Sequence, residues 1–435
     1  MRLVRQEGGN RGGVGESVLD LPPQALERIA GEVGTPVFVY SADKIAEQHR
    51  ALSQALAGIS HRIHYSVKAN SSLGILRVIR DLGLGVDIVS MGELARVLRA
   101  GFSPADIVFS GAGKTCAELE AALECGVGLL NLESEWELEI LCRLARDRKP
   151  VDVGIRVNPD VTTDTHPYTQ TARAGHKFGV PRDQVVDLAR RIMRCGNLRL
   201  RSLGMHLGSQ ISQAEPYRRG AACLGELADK LVRMGVDTLA SIDVGGGLGI
   251  SYGPDPALDL GEFRDAVAGV ASSRGLALLV EPGRFLLGNS GCLLTRVICR
   301  KRSGGRTIVI TDAGMNDFLR PSLYGAYHEI RVVAEGAGGG GDASRDHDPV
   351  DVVGPNCETG DFLGMGRRLA GAGPGALLAV MGAGAYGFVM SSNYNSRPRA
   401  AEVLVREGKY AVIRQRETVE DLMRGETDSP RWVNL

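Results

Sequence analysis

From residue 63 to residue 280, short apolar runs alternate with longer stretches of helical spacing. The short runs are rich in Val, Ile and Leu, and each ends in a polar or glycine-containing cluster, as buried parallel strands do. The predicted strands are 63–67, 86–89, 107–109, 129–132, 153–157, 203–207, 241–244 and 276–280. The predicted helices are 73–82, 91–100, 116–125, 135–146, 184–194, 217–234 and 260–273.

Strands that alternate with helices indicate βαβ units and a parallel sheet. Eight such units in about 220 residues match the size of a (β/α)₈ TIM barrel. A doubly wound parallel sheet is the alternative. A barrel would gather its catalytic groups at the carboxyl ends of the strands.

After residue 291 the pattern changes to strands without long helices between them, which predicts a mostly antiparallel β domain. These strands are 293–300, 307–311, 350–353, 377–380, 402–406 and 410–414. The length of 435 residues also favours two domains. We predict a barrel domain at 36–290 and a β-sandwich or β-barrel-like domain at 291–435 that includes the segment 1–35. Glycine-rich loops at 8–15 and 336–341 are expected to be mobile.

The charge pattern favours a small-molecule enzyme. The 51 Lys and Arg residues balance the 51 Asp and Glu residues without long runs of one sign, which argues against a nucleic-acid or membrane partner. The uncharged stretch 369–396 contains several glycines and Pro374, so it is a poor membrane helix. The eight cysteines form no CxxC pair, and the amino terminus has no apolar signal region. We therefore expect reduced thiols, a cytoplasmic location and no metal site.

Lys68 directly follows the first predicted barrel strand. A lysine at the end of a buried strand is costly unless its amine has a role. Such an amine can form a Schiff base with an aldehyde cofactor or a carbonyl substrate. The structural alternative is a strand-end lysine that reaches solvent.

Three later strand ends carry compatible chemistry. Gly245–Gly247 follow the seventh strand, where barrels commonly bind phosphate. Glu281 follows the eighth and could hold a pyridinium nitrogen protonated, while Arg284 could bind a carboxylate. His206 ends the sixth strand, where it could stack on a planar ring beside Ser209. The alternatives are a tight turn, an NAD fingerprint, a Glu281–Arg284 ion pair and a structural histidine.

The ordered set of motifs resembles the diaminopimelate decarboxylases, within the barrel-type (alanine racemase/ornithine decarboxylase-like) enzymes that use pyridoxal 5′-phosphate. The resemblance covers roughly residues 35–415. Its motifs are YSVKAN at 65–70, DIVSMGEL at 87–94, HPY at 166–168, HKFG at 176–179, HLGSQ at 206–210, GGGLG at 245–249, EPGRF at 281–285, DAGMND at 312–317, RPSLY at 320–324, CETGD at 357–361 and GAYG at 384–387.

The resemblance implies roles for individual residues. The catalytic residues would be Lys68, which carries the cofactor, His206 and the proton donor Cys357. The cofactor would contact Lys68, Asp87, His206, Ser209, Gly245, Gly246, Gly247, Glu281, Gly283, Arg284 and Tyr386. The substrate would contact Arg284, Arg320, Tyr324, Glu358 and Tyr386.

The implied reaction is the decarboxylation of meso-2,6-diaminopimelate to L-lysine, the final step of lysine biosynthesis, in a homodimer with active sites at the interface. Arg320 and Tyr324 are expected in a stretch that leads from a strand into a loop. Clustered arginines suit a substrate with a second, distal carboxylate. Decarboxylation of another diamino acid or a carboxy-polyamine, and a non-catalytic protein that binds the cofactor, remain open as alternatives.

Overall fold

The computed structural model describes residues 19, 21–173, 175–253, 255–336 and 348–435. They divide into two compact units, Ala42–Ser290, and Leu19–Ser41 together with Gly291–Leu435. The loop predicted to be mobile at 8–15, and residues 337–341 of the one predicted at 336–341, lie outside the described residues.

The first unit is a closed barrel of eight parallel strands, which confirms the predicted fold class. Its strands pair in the order β2-β3-β4-β5-β6-β8-β9-β10, and β10 pairs with β2. A doubly wound sheet would have two open edges, so closure excludes that alternative. The first two elements of the chain, α1 (Pro23–Val33) and β1 (Val37–Ser41), belong to the second unit. The elements of the first unit are α2 (Ala42–Ala55), β2 (His61–Ser66), α3 (Leu73–Asp81), β3 (Gly85–Ile88), α4 (Met91–Ala100), β4 (Ile107–Phe109), α5 (Cys116–Cys125), β5 (Leu129–Leu132), α6 (Glu135–Leu144), β6 (Val151–Asn158), β7 (Val180–Pro181), α7 (Val185–Arg194), β8 (Leu198–Gly204), α8 (Glu215–Arg233), β9 (Ser241–Asp243), α9 (Leu260–Ser272), β10 (Ala277–Val280) and α10 (Arg284–Leu287).

The barrel helices begin and end where local chemistry dictates. At the start of α5, the Thr115 side chain and Glu118 form a reciprocal capping box, and Gly126 ends the helix in the left-handed conformation. In α7 the residues Val185, Leu188 and Ile192 are buried at helical spacing. Each such side chain contributes about 1.5–3 kcal/mol when it leaves water. The helices therefore hold the strands in register, and the strand ends become a rigid platform.

The second unit is a nine-stranded, mostly antiparallel sheet. Its order is β15-β14-β12-β11-β1-β17-β18, with β16 on β11 and β13 on β16. The further elements are β11 (Gly291–Ser303), β12 (Arg306–Thr311), α11 (Arg320–Tyr324), β13 (Ile330–Ala334), β14 (Val350–Val353), β15 (Phe362–Arg367), β16 (Leu377–Met381), β17 (Ala401–Arg406), β18 (Lys409–Arg414) and α12 (Val419–Leu422).

Two sequence assignments in this unit need correction. Residues 36–41 were assigned to the barrel domain, but β1 pairs with β11 and β17 and so belongs to this sheet. The segment from Arg320 to Tyr324 was expected as a strand leading into a loop. It is the short helix α11, with Pro321 in its first turn.

The expectation that all cysteines are reduced is wrong for one pair. Cys142 and Cys195 form a disulfide with a Cα–Cα distance of 5.7 Å. Cys142 lies in the last turn of α6 and Cys195 caps the end of α7. These helices flank the neighbouring strands β6 and β8, so residues distant in the sequence meet at the barrel surface.

Among the described helices, none is both long and apolar enough to span a membrane.

Candidate active site

Lys68 lies in a single helical turn directly after β2, at the carboxyl end of the barrel. Its Nζ donates hydrogen bonds to Asp87 Oδ2 at 2.7 Å and to Ser66 Oγ at 3.1 Å. The Lys68 side chain is 33% exposed, whereas the Asp87 side chain is fully buried. The Lys68 amine is therefore held by hydrogen bonds to buried groups while its side chain stays partly exposed, unlike a lysine that simply extends into solvent.

The anchor of this amine is an ionised carboxylate. Burial alone would raise the pKa of Asp87, but the Lys68 ammonium and the hydrogen bonds from Lys68, Ser110 and Ser66 outweigh burial. The net effect lowers the pKa of Asp87 below its ordinary value. Asp87 thus supplies a permanent negative charge beside the nitrogen of Lys68.

Glu281 directly follows β10 and is buried in the same barrel. Its Oε1 atom has no hydrogen-bond partner among the described residues. Burial, together with the nearby carboxylates of Asp243 and Asp87, raises the pKa of Glu281 well above its ordinary value. Burial also raises the pKa of Asp243 to about 6. A buried acceptor without a donor is costly, so this position suits a ligand with an N–H group, such as a protonated pyridine ring.

His206 presents an uncharged ring at the same end of the barrel. Burial, and then the positive charges of Arg156 and Lys68, lower the pKa of His206 to about 3. The backbone N–H of Gly246 donates to its Nδ1 at 3.2 Å. The ring is therefore neutral and fixed in orientation, as stacking on a planar ligand requires.

The three consecutive glycines at 245–247 let the backbone of this loop lie closer to neighbouring backbone atoms than any side chain would allow. A Cβ at Gly246 would lie 2.0 Å from the Glu281 carbonyl oxygen, and one at Gly247 would lie 2.2 Å from the Gly208 oxygen. Gly245 and Gly247 also have positive φ angles of 73° and 89°. The hydroxyl of Tyr217 donates to the Gly246 carbonyl at 2.9 Å and braces this loop.

Arg284 and Ser209 meet beside this glycine loop. Arg284 Nη2 donates to Ser209 Oγ at 2.9 Å, and its Nη1 donates to the Tyr252 hydroxyl at 2.6 Å. Arg284 is buried, so these hydrogen bonds fix the position of its positively charged guanidinium. A Cβ at Gly283 would lie 3.0 Å from that of Ala69, so the turn after β10 packs closely against the residue that follows Lys68. A hydroxyl, a buried guanidinium and a glycine loop form a suitable set of partners for a phosphate.

The second unit holds the remaining predicted residues. Arg320 is buried in α11, where its Nε donates to His328 Nε2 at 3.2 Å and its guanidinium lies 5.9 Å from the Tyr324 ring centroid. His328 in turn contacts the Met381 carbonyl through Nδ1 at 2.9 Å. His328 must therefore be neutral with its proton on Nδ1, and it orients Arg320.

Cys357 and Glu358 lie in an exposed turn of the second unit. The backbone N–H of Cys357 donates to Asn395 Oδ1 at 2.7 Å. Behind this turn, the Asp361 carboxylate accepts from the Met315 N–H at 2.6 Å. Tyr386 is half-buried and has a φ of 56°, in the left-handed region. The backbone of this segment is thus held in place while the thiol and carboxylate remain accessible.

The first unit brings together one group of the predicted residues: Lys68, Asp87, His206, Ser209, Gly245, Gly246, Gly247, Glu281, Gly283 and Arg284. The second unit carries the others: Arg320, Tyr324, Cys357, Glu358 and Tyr386. Ser66, Tyr252 and His328 also contact these residues but are not among those predicted from the sequence. For Ser66 the available signal was its position two residues before the candidate lysine, at the end of the same predicted strand.

Comparisons with known proteins agree with this geometry. Residues 42–288 match the family model described as pyridoxal-dependent decarboxylase, pyridoxal binding domain. The chain is 45% identical to diaminopimelate decarboxylase of Pseudomonas aeruginosa over 94% of this chain and 96% of that protein. It is 42% identical to that of Neisseria meningitidis over 92% of this chain and 96% of the relative.

A solved structure is similar over the same extent. The diaminopimelate decarboxylase of Helicobacter pylori complexed with L-lysine superposes with a TM-score of 0.86 at 38% identity, over 92% of this chain and 98% of that one.

Proposed function

The chain belongs to the pyridoxal-dependent decarboxylases, and we propose that it converts meso-2,6-diaminopimelate to L-lysine and CO₂, the last step of lysine biosynthesis, with pyridoxal 5′-phosphate held by Lys68. The observation that carries the proposal is the Lys68 amine, fixed on the Asp87 carboxylate in the same barrel end as the unpartnered Glu281 oxygen. Relatives named diaminopimelate decarboxylase at 38–45% identity support the choice of substrate.

The residues of the first unit fit this cofactor. When bound, pyridoxal 5′-phosphate supplies an electron-accepting ring that stabilises the negative charge left when CO₂ departs. Glu281 would accept a hydrogen bond from the ring nitrogen and hold its proton. The neutral His206 ring would pack on the ring face, and Ser209, Arg284 and the glycines at 245–247 would hold the phosphate.

Lys68 would hold the cofactor through its amine. The Asp87 carboxylate keeps this nitrogen in position and favours its positively charged form. Cys357, whose thiol is exposed on the second unit, is proposed to return the proton to the carbon that loses CO₂. Tyr386 is proposed to contact the cofactor and the substrate from the same unit.

The distal end of the substrate carries a second carboxylate and ammonium group. Arg320, oriented by His328 and accompanied by Tyr324, is proposed to bind the distal carboxylate, with Arg284 as a further contact. The carboxylate of Glu358 is proposed to bind the distal ammonium. This pairing would select a substrate that has acid and amine groups at both ends.

Replacing Arg320 by alanine is expected to raise KM for meso-diaminopimelate about tenfold to a hundredfold, because a hydrogen bond to a charged group is worth ~1.5–3 kcal/mol. The rate constant kcat should change far less. Steady-state kinetics with CO₂ detection measure both. Arg331→Ala, which removes an exposed arginine of the same unit, should leave KM unchanged. If KM of the Arg320 variant equals that of the wild type, Arg320 does not bind the distal carboxylate.

A homodimer with active sites at its interface and a cytoplasmic location belong to the same proposal. Both follow from the resemblance to the decarboxylase family. Mass measurement in solution would test the dimer, since a monomer at assay concentration with full activity would contradict it.

The proposed reaction is tested with the purified protein, stripped of cofactor and assayed with and without added pyridoxal 5′-phosphate. Lysine and CO₂ should form in equal amounts from meso-diaminopimelate, and only when the cofactor is present. Ornithine, lysine and carboxynorspermidine serve as competing substrates. Preferred release of CO₂ from one of these would replace the proposed substrate, and cofactor binding without any turnover would contradict the decarboxylase activity.

A further inference from the structure

The hydroxyl of Ser66 lies at the centre of the contacts that hold Lys68. Ser66 is the last residue of β2 and is 2% exposed. Its Oγ accepts a hydrogen bond from Lys68 Nζ at 3.1 Å. The same oxygen lies 3.0 Å from Asp87 Oδ2 and 3.1 Å from the Glu281 carbonyl oxygen. One buried hydroxyl thus touches the reactive amine, its counterion and the strand end that carries Glu281.

The hydroxyl has a single proton to donate, and both of its acceptor neighbours compete for that proton. While the Lys68 ammonium donates to Asp87, the Ser66 proton can satisfy either the carboxylate or the Glu281 carbonyl. When the lysine nitrogen becomes engaged elsewhere, Asp87 loses its strongest donor. Ser66, whose Oγ already lies 3.0 Å from Asp87 Oδ2, can then donate to this carboxylate beside Ser110.

We propose that Ser66 is a positioning residue for Lys68, which holds the lysine nitrogen against Asp87 and donates to Asp87 when the lysine is occupied. The inference rests on the proposed function for its catalytic consequence, but its structural content concerns only the three side chains. The acceptor contact from Ser66 stabilises the positively charged nitrogen, and its donor contact stabilises the negative carboxylate. In the cofactor-free protein, loss of the acceptor contact should therefore favour loss of the proton from the lysine nitrogen.

A Ser66→Ala substitution removes the hydroxyl and leaves the backbone contacts of β2 in place. The backbone N–H of Ser66 donates to the Pro282 carbonyl at 3.2 Å, and alanine retains this bond. The strand pairing of β2 therefore survives a Ser66→Ala substitution. Any effect of that variant on the lysine–cofactor linkage would come from the hydroxyl.

Ser202 provides a matched control within the barrel. It lies on β8, is fully buried, and its Oγ has no hydrogen-bond partner among the described residues. Ser202→Ala removes the same atoms as Ser66→Ala from the same barrel. Only Ser66 contacts the site described above, so the two variants separate loss of the hydroxyl contact from a change in packing.

The experiment strips wild type, Ser66→Ala and Ser202→Ala of cofactor and measures, as a function of pH, the rate at which added pyridoxal 5′-phosphate forms the absorbance of the lysine-bound cofactor, which reports the titration of the free lysine amine. The midpoint of Ser66→Ala should lie about one pH unit below that of the wild type, since a hydrogen bond to a charged group is lost. Ser202→Ala should keep the wild-type midpoint. In turnover, kcat of Ser66→Ala should fall about tenfold while KM stays within about twofold, because a positioning contact is lost.

A hydroxyl-retaining variant completes the test. Ser66→Thr retains the hydroxyl and should keep the wild-type midpoint. Identical titrations for wild type and Ser66→Ala, or an equal shift in Ser202→Ala, would overturn the inference. Absence of lysine formation by the wild type would instead overturn the proposed function, while the titration would still report on Ser66.

Discussion

Replacement of Lys68 by arginine is expected to abolish decarboxylation, with a loss on the order of 10⁴-fold or more in kcat. Arginine keeps a positive charge beside Asp87, so the buried carboxylate stays paired and the barrel should fold. A guanidinium is not a nucleophile at neutral pH and cannot hold an aldehyde covalently. The variant should therefore also lose the absorbance of the lysine-bound cofactor.

Two measurements make the Lys68 result decisive. Borohydride reduction should trap the cofactor on the wild type at a peptide that contains Lys68, and should trap none on Lys68→Arg. Thermal unfolding should show that the variant is folded. Full CO₂ release by a folded Lys68→Arg protein, or trapping at Lys114 or Lys177, would show that another lysine holds the cofactor.

The arrangement of strands explains why much of the site could be predicted from the sequence. In a parallel barrel every strand ends at the same face, so a chemical group that follows a strand is placed by topology alone. Lys68, the glycines at 245–247 and Glu281 each follow a predicted strand, and His206 lies at the end of one. The structure gathers these residues at one end of the barrel. No knowledge of side-chain contacts was required for this step.

The contacts between those groups depend on register, which the sequence does not reveal. The pairing of Ser66 with Asp87 across β2 and β3 places the hydroxyl against the carboxylate. The raised pKa values of Glu281 and Asp243 result first from burial, to which the Asp87 carboxylate on a different strand adds. Tyr252 reaches Arg284 from a loop whose path no local pattern predicts. These features appear only when distant segments are brought together.

The same limit explains the errors outside the site. Residues 37–41 form a buried strand, and only its partners β11 and β17 show to which sheet it belongs. The disulfide between Cys142 and Cys195 spans 53 residues and follows from the neighbouring positions of α6 and α7. Strand β15 contains Gly364 and Gly366, which weaken the apolar alternation that reveals strands elsewhere.

Glu281 links the electrostatics of the barrel to catalysis, and Glu281→Gln should separate the two. The substitution removes a carboxylate whose pKa is raised by burial and by its neighbours Asp243 and Asp87. The folded protein holds this proton at pH values where the unfolded chain has released it, so the residue destabilises the cofactor-free protein as pH rises above the ordinary value of 4.5. Glu281→Gln should therefore unfold at a higher temperature than wild type at pH 8, and the difference should shrink towards pH 4.

In the holoenzyme the same substitution should be harmful. An amide does not stabilise a proton on the ring nitrogen, so kcat should fall on the order of 10²–10³-fold. The control is a cofactor analogue in which the ring nitrogen is replaced by C–H. The kcat of wild type with the analogue should fall to about that of Glu281→Gln with pyridoxal 5′-phosphate. The kcat of Glu281→Gln with the analogue should be little lower, because both changes remove the same interaction. Additive losses would show that Glu281 acts elsewhere than at the ring nitrogen.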